Sequence, residues 1–440
     1  MNILLIGSGA REHAIARAFK RSPQNPDLFC FASNNNPGIK KLSTSYTIGK
    51  ISDPESVLNF AKENDIELCF IGPEAPLSAG VADLLWENNI PCVGPKKNLA
   101  QLETSKAFTR DLTTEYNIPG SPKYKTFNSI DGVQEFLNEL GELYVVKYDG
   151  LMGGKGVKVA GDHLHSHEEA LEYCKELIAG DGSFVIEEKF IGQEFSLMSF
   201  CDGEHLAHMP AVQDHKRAFE DDKGPNTGGM GSYSDANHSL PFLTEEDIKT
   251  AHEINQKTCD ALRNKFGEGY KGILYGGFIA TKDGVKLIEY NARLGDPEAE
   301  NVLAIFESDF LNLCQAIVQG NLTQEHAKFA NKATVCKYAV PDGYPDDPIK
   351  NERIYISEVK NKDQLYYASV DERKDGLYEI GSRTITIVGV ANTISEAEKI
   401  AETEICKIKG PLFHRKDIGT EELINKRIKM MDEIRNNKIL

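Results

Sequence analysis

From Asn2 to Val93 the sequence alternates short apolar runs with amphipathic stretches, and this alternation narrows the possible folds more than any other feature. Asn2 to Ile6 reads as a strand, GSGA follows at 7 to 10, and Arg11 to Lys20 has helical character, giving strand, glycine turn, helix. A second strand is expected at Leu28 to Ala32, a helix near Glu55 to Asn64 and a strand at Leu68 to Ile71. The loop GPEAPL, a helix at Ala79 to Asn88 and a short strand at Cys92 and Val93 complete the pattern. Such units build a parallel sheet whose ligands bind beyond the carboxyl ends of the strands, where Gly72, Pro73 and Glu74 stand. The GSGA turn can set backbone N–H groups and a helix N-terminus around an anion. A dinucleotide site would need an acid after the second strand, but Ser33, Asn34, Asn35 and Asn36 occupy that place. The turn is therefore read as structural or as contacting a phosphate-bearing substrate, and His13 as a packed or surface residue.

The chain has 440 residues, too many for one ordinary core, so about two to four domains are expected. Forty per cent hydrophobic and 27% charged residues make a globular composition. A formal charge of −17 without a basic patch argues against nucleic acid as a partner. The run Ile3 to Ile6 lacks a basic flank and reads as a strand, not a signal peptide, and no window approaches the roughly eighteen apolar residues of a membrane span. Nine cysteines at irregular spacing, without a C-x-x-C pair, read as reduced thiols in a cytoplasmic protein.

Lys96 to Leu102 reads as a boundary, and Ser105 can cap a helix carrying Lys106 in its first turn. Tyr144 to Lys147 reads as a strand, followed by DGLMGGKGV and a second strand from Val157. A Walker A loop needs four residues between its glycine and the Gly-Lys pair, then Ser or Thr. Here Gly150 precedes Gly154 and Lys155 by too few, and Gly156 replaces the hydroxyl, so the loop reads as a hairpin flap able to close over phosphates. His163, His165 and His167 alternate but lack a fourth ligand nearby, and are expected in an exposed loop. Ser183 to Glu188 is a strand, and with the next residues Glu187, Phe190 and Glu194 can supply an apolar slot and an acid for a ribose. Gln213 to Tyr233 carries almost no apolar residues and reads as a long functional loop. Its Gly228, Gly229 and Gly231 permit close backbone approach, and Asp214, Lys216 and Arg217 offer both charges.

Val285 to Asn291 reads as a strand with Leu287 on one face and Glu289 and Asn291, two apart, sharing a face. A carboxylate beside a carboxamide is an oxygen-donor pair suited to Mg²⁺. Arg293, Gly295, Asp296 and Glu298 follow at once, more polar function than a plain turn requires.

These motifs together resemble the phosphoribosylamine-glycine ligases, also called glycinamide ribonucleotide synthetases, of the ATP-grasp superfamily. The resemblance rests on GSGAREHA at 7 to 14, GPEAPL at 72 to 77, SKAF at 105 to 108 and VVKYDGLMGGKGV at 145 to 157. VIEE at 185 to 188, QDHKRAF at 213 to 219, GPNTGGMGSYS at 224 to 234, EYNARLGDPE at 289 to 298 and RKDIG at 415 to 419 continue it in order. It implies an α/β fold: an N-terminal Rossmann-like parallel sheet, ATP-grasp central and lid domains, and a smaller C-terminal α+β domain. The implied boundaries are 1–102 for the N-terminal domain, 103–122 with 191–328 for the central domain, 123–190 for the lid, 329–423 for the C-terminal domain and 424–440 for a helical tail. ATP is the implied co-substrate, with Mg²⁺ or Mn²⁺ as metal, and glycine and phosphoribosylamine are the substrates, joined through a glycyl phosphate. By position, Lys106 and Lys147 match the lysines that reach the ATP phosphates, and Gly153, Gly154 and Lys155 match the flap. Glu187 and Phe190 match the adenine edge, Glu194 the ribose acid, and Glu289 and Asn291 the metal ligands. Arg293, Asp214 and Lys216 fall on catalytic and substrate positions; Gly9, Glu74, Asn226, Thr227, Gly228 and Asp296 fall on substrate-binding ones. A cytoplasmic monomer or weak homodimer, binding neither nucleic acid nor membrane, is expected. The chain departs from the family's usual residues at Ala10, at Leu294 and at Thr420, Glu421 and Glu422 after RKDIG. Ile424, Ile428, Met431 and Ile434 make a narrow helical stripe expected to dock on its own domain.

Overall fold

A computed structural model describes residues 1–152, 156–180 and 182–436. The N-terminal alternation forms a five-stranded sheet in the order Ser45–Ile48, Asp27–Ala32, Asn2–Ile6, Leu68–Ile71, Cys92–Val93, with every pair parallel. Helices cover both faces, so the central strands are apolar throughout and Ile3 to Ile6 are fully buried. The chain reverses its direction of strand addition between Asn2–Ile6 and Leu68–Ile71, and the crevice at that point lies between the GSGA turn and Gly72. Glu12 occupies it: the Gly9 N–H donates to Glu12 Oε2 at 2.6 Å, so the turn's anion is one of the chain's own carboxylates.

One reading of this region is corrected. A helix begins at Glu74, inside the expected loop, and Gly80 at φ +86° separates it from the helix Val81–Glu87. Pro76 is harmless because first-turn N–H groups have no intrahelical partner. The expected boundary at Lys96 to Leu102 lies largely on the helix Lys97–Thr104, held by buried Leu99, Ala100 and Leu102. His13 is packed, its ring stacked on Tyr367 and its Nδ1 accepting the Tyr367 N–H at 3.0 Å.

An antiparallel sheet of Tyr124–Phe127, Phe184–Glu188, Tyr144–Tyr148 and Val157–Val159 has its own core of Phe127, Val133, Leu137, Val146, Phe184 and Ile186. Tyr144–Tyr148 and Val157–Val159 form the hairpin that bears the glycine loop. His163 and His167 serve local structure, with Val159 N–H donating to His163 Nδ1 at 3.2 Å and His167 Nε2 lying 2.8 Å from the Gly141 carbonyl.

A second antiparallel sheet runs Leu206–His208, Gln193–Asp202, Lys271–Thr281, Gly284–Asn291, backed by the helix Glu245–Phe266. A third sheet joins Gln213–Asp214, Gly231–Ser234, Ala333–Pro341, Ile385–Ala391 and Leu365–Tyr367. The stretch from Gln213 to Tyr233 is thus not one irregular loop. It holds two sheet strands around a hairpin of Arg217–Phe219 and Lys223–Asn226, anchored by fully buried Ala218, Met230 and Tyr233. The C-terminal helix Glu421–Arg435 corrects another expectation. It packs on the strands Gln193–Asp202 and Lys271–Thr281 rather than on the preceding domain, burying Ile424, Met431 and Ile434. Among the described residues no helix is long and apolar enough to cross a membrane.

Candidate nucleotide and substrate site

Ser105 accepts the Phe108 N–H at 3.0 Å and starts the helix Lys106–Glu115, placing Lys106 and Arg110 one turn apart on the rim of a pocket. Glu187, Ile288 and Glu289 line the same pocket. Arg110 forks onto Glu187 at 2.7 and 2.9 Å, and Lys147 Nζ reaches the same carboxylate at 2.7 Å. All three side chains are buried. Burial alone would raise the Glu187 carboxyl, but Arg110 and Lys147 hold it down to about 2. For Lys147 burial prevails, and its pKa falls below the ordinary lysine value despite Glu187. Glu187 is therefore committed to two cations, which leaves it less free for a base edge than its sequence position implied.

The strand Gly284–Asn291 carries a bulge that local periodicity does not show. Gly277 pairs with Glu289 while Phe278 pairs with Leu287, leaving Ile288 extra. Strict alternation would put Leu287 and Glu289 on one face; the bulge sends Leu287 and Tyr290 into the core and turns Glu289 and Asn291 to the pocket side. Arg110 and Lys147 take up the bulge carbonyls, with Lys147 donating to Ile288 O at 3.1 Å and Arg110 to Leu287 O at 3.2 Å. Glu289 sits in the field of Lys216, Lys106, Lys147 and Arg293, which outweighs burial and holds its carboxyl at about 2. Lys216 Nζ lies 3.9 Å from Glu289 and 3.8 Å from Glu194, and these acids with Asp214 and Glu298 raise its pKa against burial.

Arg293 lies 3.2 Å from Glu103, 3.7 Å from Glu74 and 3.4 Å from Asn291 Oδ1. Glu103 is fixed in turn by the Ala292 N–H at 2.8 Å. Beyond Lys216, Asp214 and Glu298 line a second pocket with Glu194, Tyr275 and Glu289. Burial and the nearby Glu298 push the Asp214 carboxyl well above its usual value, against the pull of Lys216 and Arg383. Tyr275 donates to Glu298 Oε1 at 2.7 Å. Asp296 Oδ1 accepts from Tyr338 at 2.7 Å and lies 3.2 Å from Arg383. Arg383 also donates to the carbonyls of Gly228 at 2.7 Å and Asp296 at 2.8 Å. Gly229, at φ +114°, passes so near Asp214 and Pro297 that a Cβ would meet each at 2.7 Å. Thr227 donates from its N–H and its hydroxyl to Lys216 O at 2.7 and 2.9 Å.

Lys106, Lys147, Glu187, Glu289, Asn291, Arg293, Lys216, Asp214, Glu194 and Glu74 thus converge, while Gly9 meets the group through Asp296, 3.8 Å from where its Cβ would stand. Asn226 and Gly228 flank Thr227, and Phe190 is half-buried beyond Glu187. Gly153, Gly154 and Lys155 lie outside the described residues. Arg110, Glu103 and Arg383 were not foreseen. The only local trace of Arg110 was its place one turn after Lys106 on the capped helix, and nothing near Arg383 marks it.

Three family models match in register: "Phosphoribosylglycinamide synthetase, N domain" over residues 1–103, its ATP-grasp (A) domain over 104–299 and its C domain over 334–421. A phosphoribosylamine-glycine ligase of Methanosarcina barkeri is 50% identical over 99% of this chain and 100% of its own length. A crystal structure of phosphoribosylamine-glycine ligase from Thermotoga maritima superposes with TM-score 0.82 at 30% identity, covering 95% of this chain and all of that one. The biotin carboxylase domain of Hydrogenobacter thermophilus 2-oxoglutarate carboxylase, solved with MgADP, shares the fold at TM-score 0.70 and 16% identity, covering 100% of this chain and 95% of that one.

Proposed function

The chain belongs to the phosphoribosylamine-glycine ligase family, and from that premise we propose how its residues carry the reaction. The enzyme joins glycine to 5-phosphoribosylamine at the expense of ATP, giving glycinamide ribonucleotide, ADP and phosphate in purine biosynthesis. A carboxylate is a poor acyl donor. In our reading a glycine carboxylate oxygen attacks the γ-phosphorus, ADP leaves, and the amine nitrogen of phosphoribosylamine then attacks the carbonyl carbon of glycyl phosphate, expelling phosphate. No protein nucleophile is required.

The observation that carries this reading is the Glu289 carboxylate, ionised among Lys106, Lys147, Lys216 and Arg293 at the mouth of two adjoining pockets. Four cations around one acid suit a polyphosphate and its counter-ion. Glu289 and Asn291 are hard oxygen donors on one side of a bulged strand, and they fit Mg²⁺. When bound there, Mg²⁺ would neutralise phosphate charge. Lys106 and Lys147 bind the phosphates, Glu194 and the backbone at Phe190 hold the nucleoside, and the loop with Gly153, Gly154 and Lys155 excludes water. Asp214 and Glu298, two carboxylates in one buried corner, are relieved by a substrate ammonium group. Glu74 and the N-terminal turn with Gly9 face the phosphoribosyl group, and Asn226, Thr227, Gly228 and Asp296 line the substrate side beside Arg293.

The working domains are 1–102, 103–122 with 191–328, 123–190 and 329–423, with a tail from 424. We place the enzyme in the cytoplasm as a monomer or weak homodimer without nucleic-acid or membrane partners. ADP release with Mg-ATP, glycine and freshly generated phosphoribosylamine, omitting each in turn, tests the reading. Release requiring all three supports it. Release indifferent to phosphoribosylamine would overturn the assignment of the amine.

A further inference from the structure

Behind the hairpin of Arg217–Phe219 and Lys223–Asn226 lies an ion cluster that the proposed chemistry does not use. Asp222, at the turn of the hairpin, takes Arg415 Nη1 on one oxygen at 3.1 Å and Arg427 on the other. Arg415 is fully buried, forks onto Asp417 at 2.9 and 2.6 Å, and donates to Arg217 O at 3.1 Å. Asp417 Oδ2 accepts the Asp221 N–H at 3.1 Å. His215 is buried among these groups, neither ring nitrogen having a hydrogen-bond partner. Burial, with Arg427 and Arg415 nearby, keeps it neutral, so it fills space between the charges.

The turn itself is strained. Asp221 and Asp222 stand at φ +60° and +55°, two consecutive non-glycine residues in the left-handed region. Such residues cost about 1–2 kcal/mol each and persist where surrounding contacts impose them. Here Arg415, Arg427 and Asp417 supply the contacts. The other end of the hairpin bears the site: Thr227 is bonded to Lys216 O, and Lys216 Nζ faces Glu289 and Glu194. Arg427 comes from the C-terminal helix Glu421–Arg435, which packs on the strands Gln193–Asp202 and Lys271–Thr281 with Met431 and Ile434 buried, and whose Arg435 is bonded to Asp247 of the helix Glu245–Phe266 at 2.5 Å and to Phe242 O at 3.1 Å.

We infer that the C-terminal helix is a positioning element of the substrate site: Arg427, with Arg415, clasps Asp222 and fixes the hairpin that carries Lys216, Asn226 and Thr227. A continuous path then runs from the sheet that holds Glu289, through the helix and the hairpin, back to Lys216 facing Glu289. Registration of Lys216 thus depends on residues some two hundred positions later in the chain, Arg427 standing 205 positions after Asp222.

The test uses the full-length protein carrying Arg427→Ala, with Lys426→Ala as a surface control, its ammonium only 3.8 Å from Asp221 and exposed. Hydrogen exchange at the amides of residues 217–227 should accelerate about tenfold in Arg427→Ala, while the five-stranded N-terminal sheet keeps its protection. In steady state, kcat/KM for glycine should fall about tenfold in Arg427→Ala, as expected for a lost charged hydrogen bond, while Lys426→Ala stays within about twofold of wild type. The kinetic arm rests on the ligase reading; the exchange arm does not, so inactivity of the wild-type chain would indict only that reading. Unchanged exchange in the hairpin of folded Arg427→Ala would overturn the inference, as would a kcat/KM no lower than that of Lys426→Ala. Should Arg427→Ala not fold, Asp222→Asn, which keeps the size of this half-buried side chain and removes its charge, is read by the same two measurements and the same criteria.

Discussion

Arg110→Met should expose how much the site depends on a buried triad. The substitution keeps most of the side-chain volume and removes both hydrogen bonds to Glu187, leaving its carboxylate only Lys147. The Glu187 carboxyl, ordinarily near 4.5, is held at about 2, which corresponds to about 3 kcal/mol of pairing. Burial of Lys147, whose own pKa is lowered, offsets part of that. Removing one partner of a buried pair costs about 3–5 kcal/mol in general, so a loss of about 2–4 kcal/mol is expected at pH 7. Because the folded pKa is depressed, this stability is present above pH 4.5 and is lost as the pH falls toward 2. The assay is urea denaturation of wild type, Arg110→Met and Arg110→Met/Glu187→Gln, followed by a probe in the sheet that contains Tyr144. The double variant leaves Lys147 as a buried cation without its carboxylate and should be no more stable than Arg110→Met. A loss below about 1 kcal/mol in Arg110→Met, or a double variant clearly more stable than the single, would refute the reasoning.

Glu289→Ala should reduce kcat by at least about a thousandfold with the thermal midpoint within a few degrees of wild type, since the side chain faces the pocket; near-normal Mg²⁺-dependent turnover would remove it from the metal site. Lys147→Ala should weaken ATP binding about ten- to a hundredfold by calorimetry, and unchanged affinity would leave the lysine only its structural role beside Glu187. Arg383→Ala frees the Gly228 carbonyl and Asp296 together, and KM for the amine substrate should rise about tenfold with ATP affinity unchanged; equal effects on both would mean a global change.

What local sequence can specify, it specified. Apolar runs bounded by glycine give the parallel strands, Ser105 gives a cap, and the apolar hairpin strands give the glycine loop its place, because each depends on residues within a few positions of one another. The spacing of Glu289 and Asn291 was legible as a donor pair, but not why Leu287 points the other way; a bulge depends on a neighbouring strand's register. The polar content of residues 213–234 concealed its strands, because Ala218, Met230 and Tyr233 are too few to make a period yet are fully buried once Ala333–Pro341 pairs alongside. Charge partners lay further out of reach. Arg110 meets Glu187 across 77 residues and Arg383 meets Gly228 across 155, and an isolated arginine in sequence looks like any solvated one. The apolar stripe of the C-terminal helix declared that it would dock, while the surface that receives it was decided by the sheet of Gln193–Asp202 and Lys271–Thr281. Periodicity is a property of the chain alone; the choice of partner for a buried face or a buried charge belongs to the folded whole, where desolvation must be met by whatever the tertiary structure brings near.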